Sequence, residues 1–294
     1  MMNPFQRFCF SIVALFALVV SSLAAAPAAR AEDERARPAP VHFPTRVNAV
    51  YTISWNGVEL GEFAFSSSLK GNRYSMRGDT SLSALFGAFS WRGMTKSAGT
   101  VSGVSPTPVS YNFRFEGNDK SGRIDMAFQG GQVRKVTAQP PIGSSPGRVP
   151  VTRGHLTGVL DPLSAVMAIS ASTGASIEGV NPCKRRIPIF DGKQRFDLVL
   201  SYLRKERIEG GKGGAGFAYV CKIKYVPVAG HKMNQETRYM ASNDGIEIWL
   251  IPVAKANLFV PHLVVLPTWA GNAQIMSSRV DIEMAGRGRV ALVN

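Results

Sequence analysis

The sequence has little of the material that builds disulfide-rich or metal-bound frameworks. Its 294 residues include three Cys and four His. Three cysteines cannot form the dense disulfide network of a small secreted domain, and the histidines at positions 42, 155, 231 and 262 are too scattered for a metal cluster. We therefore expect no metal site and no cofactor. The 45% of hydrophobic residues is sufficient for an ordinary core.

Long apolar runs are also missing, except near the start of the chain. The run from Phe8 to Val20 has 13 residues, whereas a membrane-spanning helix needs about 20. It follows Arg7 and precedes a small-residue stretch that ends at Ala31, which is the layout of a secretory signal peptide. We predict that residues 1–31 are cleaved and that the mature chain is exported without a transmembrane segment.

Acidic residues are scarce, and 34 Lys and Arg against 20 Asp and Glu give a formal net charge of +14. Cleavage removes Arg7 and Arg30, which leaves 32 basic residues and a charge of +12. Nucleic acid is not expected as a partner, because the chain is exported and carries no nucleic-acid-binding motif. Anionic envelope lipids or cell-wall polymer are the expected partners, with a basic protein lacking any such partner as the alternative.

Catalytic motifs are absent as well. There is no G-x-S-x-G nucleophile motif, and the glycine-rich run 210–216 lacks the Lys-Ser or Lys-Thr of a phosphate-binding loop. We assign no catalytic residue and expect no enzyme. A pocket with a Ser or Asp held by His155 or His231 would instead favour a hydrolase.

The cysteine count becomes informative once the leader is removed, because Cys9 leaves with it. Cys183 and Cys221 then remain in a compartment that permits oxidation, and we expect them to form a disulfide. Two buried free thiols are the alternative.

Apolar residues that alternate with polar ones predict β-strands along most of the mature chain. In Val47–Trp55 every second residue is apolar, and Asn56-Gly57 follows as a hairpin turn. The return strand changes its alternation around Gly61, which predicts a β-bulge. Further predicted strands span 73–78, 94–101, 109–116, 123–128, 133–138, 195–202, 217–226, 235–241, 246–251, 263–267 and 273–284, with Asp191-Gly192 and Asp244-Gly245 as hairpin signals.

Two segments depart from this alternation and predict short helices packed on the sheet. Leu82, Leu85, Phe86 and Phe89 have helical spacing, and Asp161-Pro162 is an N-cap followed by proline at the first helical position. We divide the chain into a signal peptide (1–31), a flexible lead-in (32–45) and one mainly β domain (46–294). A boundary in the Pro-rich stretch 139–150 would instead give two domains.

Aromatic side chains on the first strands define a candidate ligand groove. An antiparallel barrel that fails to close leaves a wide apolar groove, and such a groove can hold a lipid or an acyl chain. The candidate residues are Phe63, Phe65, Trp91 and Phe113.

The chain resembles exported bacterial proteins grouped as domain of unknown function 3108. The resemblance covers residues 46–284 and is carried by DPLSA at 161–165, IFDGKQRFD at 189–197 between the two cysteines, CKIKY at 221–225 and GHK at 230–232. More distantly, the chain is similar to envelope integrity protein B-like periplasmic proteins. The resemblance implies an open, spiral-like antiparallel β-barrel stabilised by a disulfide, a periplasmic location and a role in maintaining the cell envelope. It does not imply a catalytic site.

The motif between the cysteines also has a structural interpretation. Asp191 and Gly192 predict the hairpin turn, and Arg195 and Asp197 share one strand face, where they can pair across strands. Three hypotheses follow for the function: an envelope protein that holds a lipid or a lipidated partner, an interaction scaffold that contacts envelope proteins or cell-wall polymer, and a hydrolase of envelope components.

Overall fold

The computed structural model describes residues 43–84, 88–118, 120–143, 146–173, 177, 179–208, 214–268, 270–286 and 288–293. The predicted signal peptide and residues 32–42 of the predicted lead-in lie outside the described residues. Within them, antiparallel strands dominate and two short α-helices accompany the sheet.

Fourteen strands of the described chain belong to one sheet. The first seven are β1 (Arg46–Trp55), β2 (Val58–Lys70), β3 (Arg73–Ala84), β4 (Phe89–Ser102), β5 (Ser105–Gly117), β6 (Ser121–Gln129) and β7 (Gln132–Gln139). The others are β8 (Arg185–Phe190), β9 (Arg195–Arg207), β10 (Phe217–Ala229), β11 (Glu247–Val253), β12 (Leu258–Thr268), β13 (Gly271–Met284) and β14 (Gly288–Val293). The helices are α1 (Pro162–Ser170) and α2 (Gln235–Ser242).

The sheet consists of two antiparallel meanders joined side by side. Strands β1 to β7 form the first, β8 to β13 form the second, and β14 adds to β13. The two meanders meet where β1 pairs with β13, from Arg46 opposite Glu283 to Trp55 opposite Ala273. The strand order therefore runs from β7 at one edge to β8 at the other, and the described strands form no ladder between those edges. This confirms the predicted fold class, a mainly β, open antiparallel barrel with two short helices.

A short segment of chain spans the seam between the two edge strands. Thr157 bridges Gln132 of β7, and the amide of Gly158 donates to the Gly131 carbonyl at 2.9 Å. Three residues later, Leu160 donates to the Pro188 carbonyl of β8 and accepts from the Phe190 amide, both at 2.9 Å. Backbone hydrogen bonds from one segment thus tie both edges together without a continuous ladder.

Side chains complete the seal at the seam. Phe190 belongs to the buried cluster of the β5–β7 region, together with Ile124 and Val159. The turn between β8 and β9 also lies against β6, since a Cβ on Gly192 would collide with the Ile124 side chain. Gly192 has a φ of +98°, which disfavours a side chain on backbone grounds too.

The predicted hairpin and bulge of the first two strands are present. Asn56 and Gly57 form the turn with positive φ values of 48° and 82°. The pairing of β1 with β2 shifts register between Ile53 and Ser54, opposite Gly61. Gly61 has a φ of +150°, and a Cβ there would collide with the Ser81 carbonyl, so this close approach of β2 to β3 requires glycine.

The helix predicted around 82–89 is wrong at both of its ends. Leu82 lies in β3 and pairs with Trp91, while Phe89 opens β4 and pairs with Ala84. Leu85 and Phe86 lie outside the described residues. The helical spacing arises from a hairpin whose two apolar arms face each other.

The strand predicted over 235–241 is wrong as well, because this stretch forms α2. The Asn234 side chain accepts from the Thr237 amide at 2.9 Å and caps the helix, and Gln, Glu, Met and Ala in the segment favour helix. Asp244-Gly245 consequently lies in the connection from α2 to β11 and does not form a hairpin. Strands β8 and β14 were not predicted; Pro188 interrupts the β8 pattern, which is tolerated because β8 is an edge strand.

Cys183 and Cys221 form a disulfide in the second meander. Cys183 precedes β8 and Cys221 lies in β10, 5.2 Å apart between Cα atoms, and both residues are fully buried. They are surrounded by the largest apolar cluster, to which β8–β12 and α1 contribute. The bridge therefore ties the start of edge strand β8 to the strand that lies two positions further into the sheet.

We expect Cys183→Ser to lower the melting temperature of the oxidised protein. The bridge closes a 38-residue separation, for which the loop-entropy model gives about 4 kcal/mol. Thermal unfolding with and without strong reductant measures this, because the variant and the wild type differ little once the bridge is reduced. Equal melting temperatures without reductant would contradict a stabilising role.

We expect Gly192→Ala to cost about 2–4 kcal/mol of unfolding free energy, because positive φ and overlap with Ile124 both oppose the new methyl group. The matched control is Gly71→Ala, at a position with positive φ and no atoms within 4 Å of the new Cβ, where about 1–2 kcal/mol is expected from φ alone. Urea unfolding of both variants measures the difference. Equal losses would show that the turn does not seal against β6.

Candidate functional site

The first two candidate groove residues lie on the inner face of the sheet. Phe63 sits opposite Tyr51 of β1, and Phe65 follows two residues later on the same face of β2. The ring centroids of Tyr51 and Phe63 are 6.1 Å apart, and those of Phe63 and Phe65 are 6.5 Å apart. These rings form a continuous aromatic surface across β1 and β2.

The other two candidate residues form a second aromatic group further along the same face. Trp91 and Phe113 have ring centroids 6.4 Å apart, and Phe115 stacks on both, at 6.2 Å from Trp91 and 5.7 Å from Phe113. Phe115 lies in one cross-strand row with Phe63, through Thr80 of β3 and Gly93 of β4. All four predicted residues thus lie on one face, in two separate groups.

Glycines explain why these rings can lie flat on the sheet. A Cβ on Gly78 would overlap the Phe63 ring, and a Cβ on Gly93 would overlap the Trp91 ring. Each ring covers backbone that carries no side chain of its own. The sequence shows this signal as glycines inside β3 and β4, but the alternation of apolar residues does not reveal which ring covers which glycine.

An apolar cavity of about 240 Å³ lies inside the sheet beside the first aromatic group. Strands β1, β2 and β3 line one side, β11, β12 and β13 line another, and α1 supplies Val166, Met167, Ile169 and Ser170. Phe63 and Phe65 are among the lining residues, whereas Trp91 and Phe113 are not. The cavity is smaller than the roughly 300–1,000 Å³ of sites for drug-sized ligands, so its size favours a slender chain.

The wall of the cavity is uncharged. None of the described residues that line the cavity carries a charge. Two tyrosine hydroxyls reach the wall region, and both have internal partners: Tyr51 donates to the Pro261 carbonyl at 3.1 Å, and Tyr74 lies 2.8 Å from the Ser164 hydroxyl. Burial raises the pKa of both tyrosines, that of Tyr74 to about 12, so both hydroxyls are neutral at physiological pH.

A buried polar cluster fixes the start of α1, as the Asp161-Pro162 signal predicted. The fully buried Asp161 carboxylate accepts from the amides of Leu163 and Ser164, each at 3.0 Å, and from the hydroxyls of Ser164 and Ser97. Burial raises the pKa of Asp161, and the hydrogen bonds oppose this shift. Ser97 belongs to β4 and Tyr74 to β3, so the cap also anchors the helix to the first meander.

The other end of α1 is held by the second meander. The Arg185 guanidinium at the start of β8 donates to the carbonyls of Ala168 and Ala171, where a cation complements the negative end of the helix dipole. Burial lowers the pKa of Arg185. One helix thereby spans both meanders and forms a wall of the cavity. The Asp161-Pro162 signal predicts the cap, whereas its partners come from strands far away in the chain and leave no local signal.

The residues of the turn motif between β8 and β9 contact one another and the neighbouring strand. The Asp191 carboxylate accepts from the amides of Lys193 and Gln194, each at 2.7 Å, and burial raises its pKa. Arg195 pairs with Asp197 along the same strand, and Asp197 also accepts from Arg186 of β8 at 2.8 Å. These residues order the edge of the sheet and do not line the cavity.

The arrangement that would favour a hydrolase is not found among the described residues. The Nδ1 atom of His155 accepts from the Thr152 amide at 3.1 Å in an exposed turn. His231 is buried, and its Nδ1 has no hydrogen-bond partner in the described part of the chain. Neither histidine holds a Ser or Asp side chain there, and no group of three or more His, Cys, Asp and Glu in those residues could hold a metal ion.

A larger depression of about 940 Å³ lies on the opposite, outer face of β2–β6. Its charged residues alternate in sign and are mostly exposed, with three arginines against three acids: Arg92, Arg114, Arg123, Glu62, Asp79 and Glu116. This surface is open, and the formal charges of its side chains cancel. The inner cavity is therefore the better candidate despite its smaller volume.

Comparison with known proteins places the chain in a family. The family described as protein of unknown function (DUF3108) matches residues 50–277. The chain belongs to this family. No curated protein matches the chain. A solved structure described as a beta-barrel-like protein of domain of unknown function DUF1849 from Brucella abortus is similar, with 12% identity, a TM-score of 0.48, and coverage of 82% of this chain and 99% of its own.

Membership confirms the resemblance found in the sequence and leaves the activity of the family open. In the described residues, none of the helices is long and apolar enough to cross a membrane.

We expect Asp161→Ala to destabilise the protein by about 2–4 kcal/mol, because the helix cap is lost and two buried hydroxyls lose their acceptor. Asp161→Asn retains an oxygen that can accept from the two amides, so a smaller loss is expected. Circular dichroism during urea unfolding measures both. Equal losses for the two variants would contradict the capping role.

The pH dependence of stability, compared between wild type and Asp161→Asn, tests the burial of Asp161. A raised pKa means that the folded state holds the proton more tightly than the unfolded chain. The contribution of Asp161 to stability is therefore largest below its unfolded pKa of about 3.9 and declines as the pH rises toward its folded pKa. We expect Asp161→Asn to gain stability relative to wild type over this rise in pH. If the stability of the two proteins changed in parallel with pH, the pKa of the Asp161 carboxyl group would not be raised in the folded state.

Proposed function

We propose that this protein is a non-enzymatic component of the periplasm that supports the cell envelope by holding an acyl chain, from a lipid or a lipidated partner, inside its open barrel. The observation that carries the proposal is the uncharged cavity lined by Phe63, Phe65 and α1. An apolar wall without charge suits a hydrocarbon chain, because burial of apolar surface supplies the binding free energy and no buried charge has to be neutralised.

The interior supports binding over a purely scaffolding role. A packed interior would favour the scaffold, whereas this one retains a cavity between the strands and the helix. The exposed edges that a scaffold would use are partly occupied, since the Thr157–Leu160 segment bonds to both β7 and β8.

The location in the envelope is supported by the layout of the leader and by the Cys183–Cys221 bridge, which suits an oxidising compartment. In that compartment, the excess of basic residues attracts the protein to anionic lipid surfaces and cell-wall polymer. Long-range attraction of this kind concentrates the protein where acyl chains are found.

The proposal is tested with protein purified from the exported fraction. Native mass spectrometry followed by solvent extraction is expected to detect a co-purifying species with an acyl chain. Protein that carries no lipid and takes up none from monoacyl lipids added in solution would overturn the proposal and favour the scaffold.

A cavity-filling variant gives the matched test. Val166→Trp places an indole from α1 into the cavity and is expected to abolish lipid retention. Val109→Trp makes the same change at an exposed position of β5 that does not line the cavity and should retain lipid as wild type does. Near-ultraviolet circular dichroism verifies that both variants are folded. Equal retention by the two folded variants would place the lipid elsewhere.

A further inference from the structure

The serines that line the cavity lie at one of its ends. Ser67 and Ser68 lie near the end of β2, and Ser170 is the last residue of α1. Ser67 pairs with Val47 near the start of β1, and Ala171, next to Ser170, bridges Leu258 at the start of β12. Strands β1 and β12 run in the same direction, because each is antiparallel to β13, so the three serines lie toward the same end of the sheet.

The hydroxyls of Ser67 and Ser170 are available to a ligand, whereas Ser68 alternates with Ser67 and shares a cross-strand row with Arg46 and Ser75 of the other face. Within the described part of the chain, neither of the two hydroxyls makes a hydrogen bond, and both residues are only partly buried. They therefore differ from Tyr51 and Tyr74, whose hydroxyls already have protein partners. A carbonyl group placed at this end would find donors that have no competing internal acceptor.

The middle of the cavity is lined by buried apolar residues. Ala49, Val280 and Phe259 line it and are 3%, 1% and 0% exposed. Beyond them the lining becomes partly exposed again at Phe63 and Ile275, toward the opposite end of β1. The sequence of environments is thus polar, buried apolar, then aromatic and aliphatic, which matches a head followed by a hydrocarbon tail.

The absence of charge in the described lining selects among acyl compounds. A fatty acid would bring its carboxylate to a wall that has no basic side chain. Removing the carboxylate from water without a cationic partner costs free energy and weakens binding. An ester carbonyl carries no such cost and accepts hydrogen bonds from serine hydroxyls.

Resting on the function proposed above, we propose that the cavity binds a monoacyl ester, with the ester carbonyl at Ser67 and Ser170 and the chain directed toward Phe63 and Ile275. The proposal specifies both the class of ligand and its orientation. The remainder of the head group then lies outside the cavity.

Three probes of equal chain length separate the contributions of the carbonyl group and of the carboxylate charge to binding. Monolauroylglycerol is expected to bind more tightly to delipidated protein than lauric acid at neutral pH, by about tenfold or more. Dodecyl glyceryl ether, which lacks the carbonyl, is expected to bind several-fold more weakly than the ester. The disadvantage of lauric acid should shrink as the pH falls toward a carboxyl pKa of about 4–5, where the acid becomes neutral. Equal affinity of the ester and the ether would overturn the role of the carbonyl.

Serine variants locate the carbonyl. Ser67→Ala with Ser170→Ala is expected to weaken ester binding by about tenfold while changing ether binding little. The control is Ser66→Ala with Ser75→Ala, serines of β2 and β3 that do not line the cavity, and it should leave both affinities unchanged. An equal effect on ester and ether would show that the serines act on packing and not on the carbonyl.

Photocrosslinking tests the orientation directly. Labelled positions are assigned to individual residues. A monoacylglycerol with a diazirine at the chain terminus is expected to label Phe63 in β2 or Ile275 in β13, or the residues next to them. A diazirine next to the ester should label Ser67 or Ser170, or the residues next to them. The reverse pattern would overturn the orientation while leaving acyl-chain binding intact. If none of monolauroylglycerol, lauric acid and dodecyl glyceryl ether bound, the proposed function itself would be overturned.

Discussion

The structure depends on sealing a sheet that does not close on itself. A barrel whose edge strands share a ladder satisfies its backbone groups and covers its interior at the same time. Here β7 and β8 are joined through the Thr157–Leu160 segment and through Phe190, so the chain between them serves as part of the wall. The following residues continue directly into α1, which enters the concave side of the sheet. The seam, the helix and the cavity are therefore consequences of one topological gap.

Filling the interior of so wide a sheet requires more than alternating aliphatic residues. The first meander uses aromatic rings that lie over glycines, as Phe63 does over Gly78, and the second uses a dense aliphatic cluster around the buried disulfide. Helix α1 connects the two meanders, because its cap bonds to Ser97 and its last carbonyls accept from Arg185. The space left between them is apolar because every strand facing it contributes its inner side chains.

Local chemistry made much of this fold predictable. The Asn56-Gly57 turn, the Gly61 bulge and the Asp161 cap each depend on a few neighbouring residues, and all three are present. The helix expected around Leu82 and Phe89 failed because cross-strand pairing of apolar arms can imitate helical spacing over a short window. For the site, the inner face of Phe63 and Phe65 follows from alternation. The partners of α1 and the serines at the end of the cavity follow from contacts between distant strands, which no local pattern encodes.

The pairing of β1 with β13 also sets the order in which the molecule can assemble. Arg46 and Glu283 are neighbours in space but lie at opposite ends of the domain sequence. Strand β1 therefore keeps an unpaired edge until β13 is available to pair with it. Such long-range pairing slows folding and leaves an edge open to aggregation. A chain of this topology thus depends on being kept unfolded, or shielded, until nearly all of it is available for pairing.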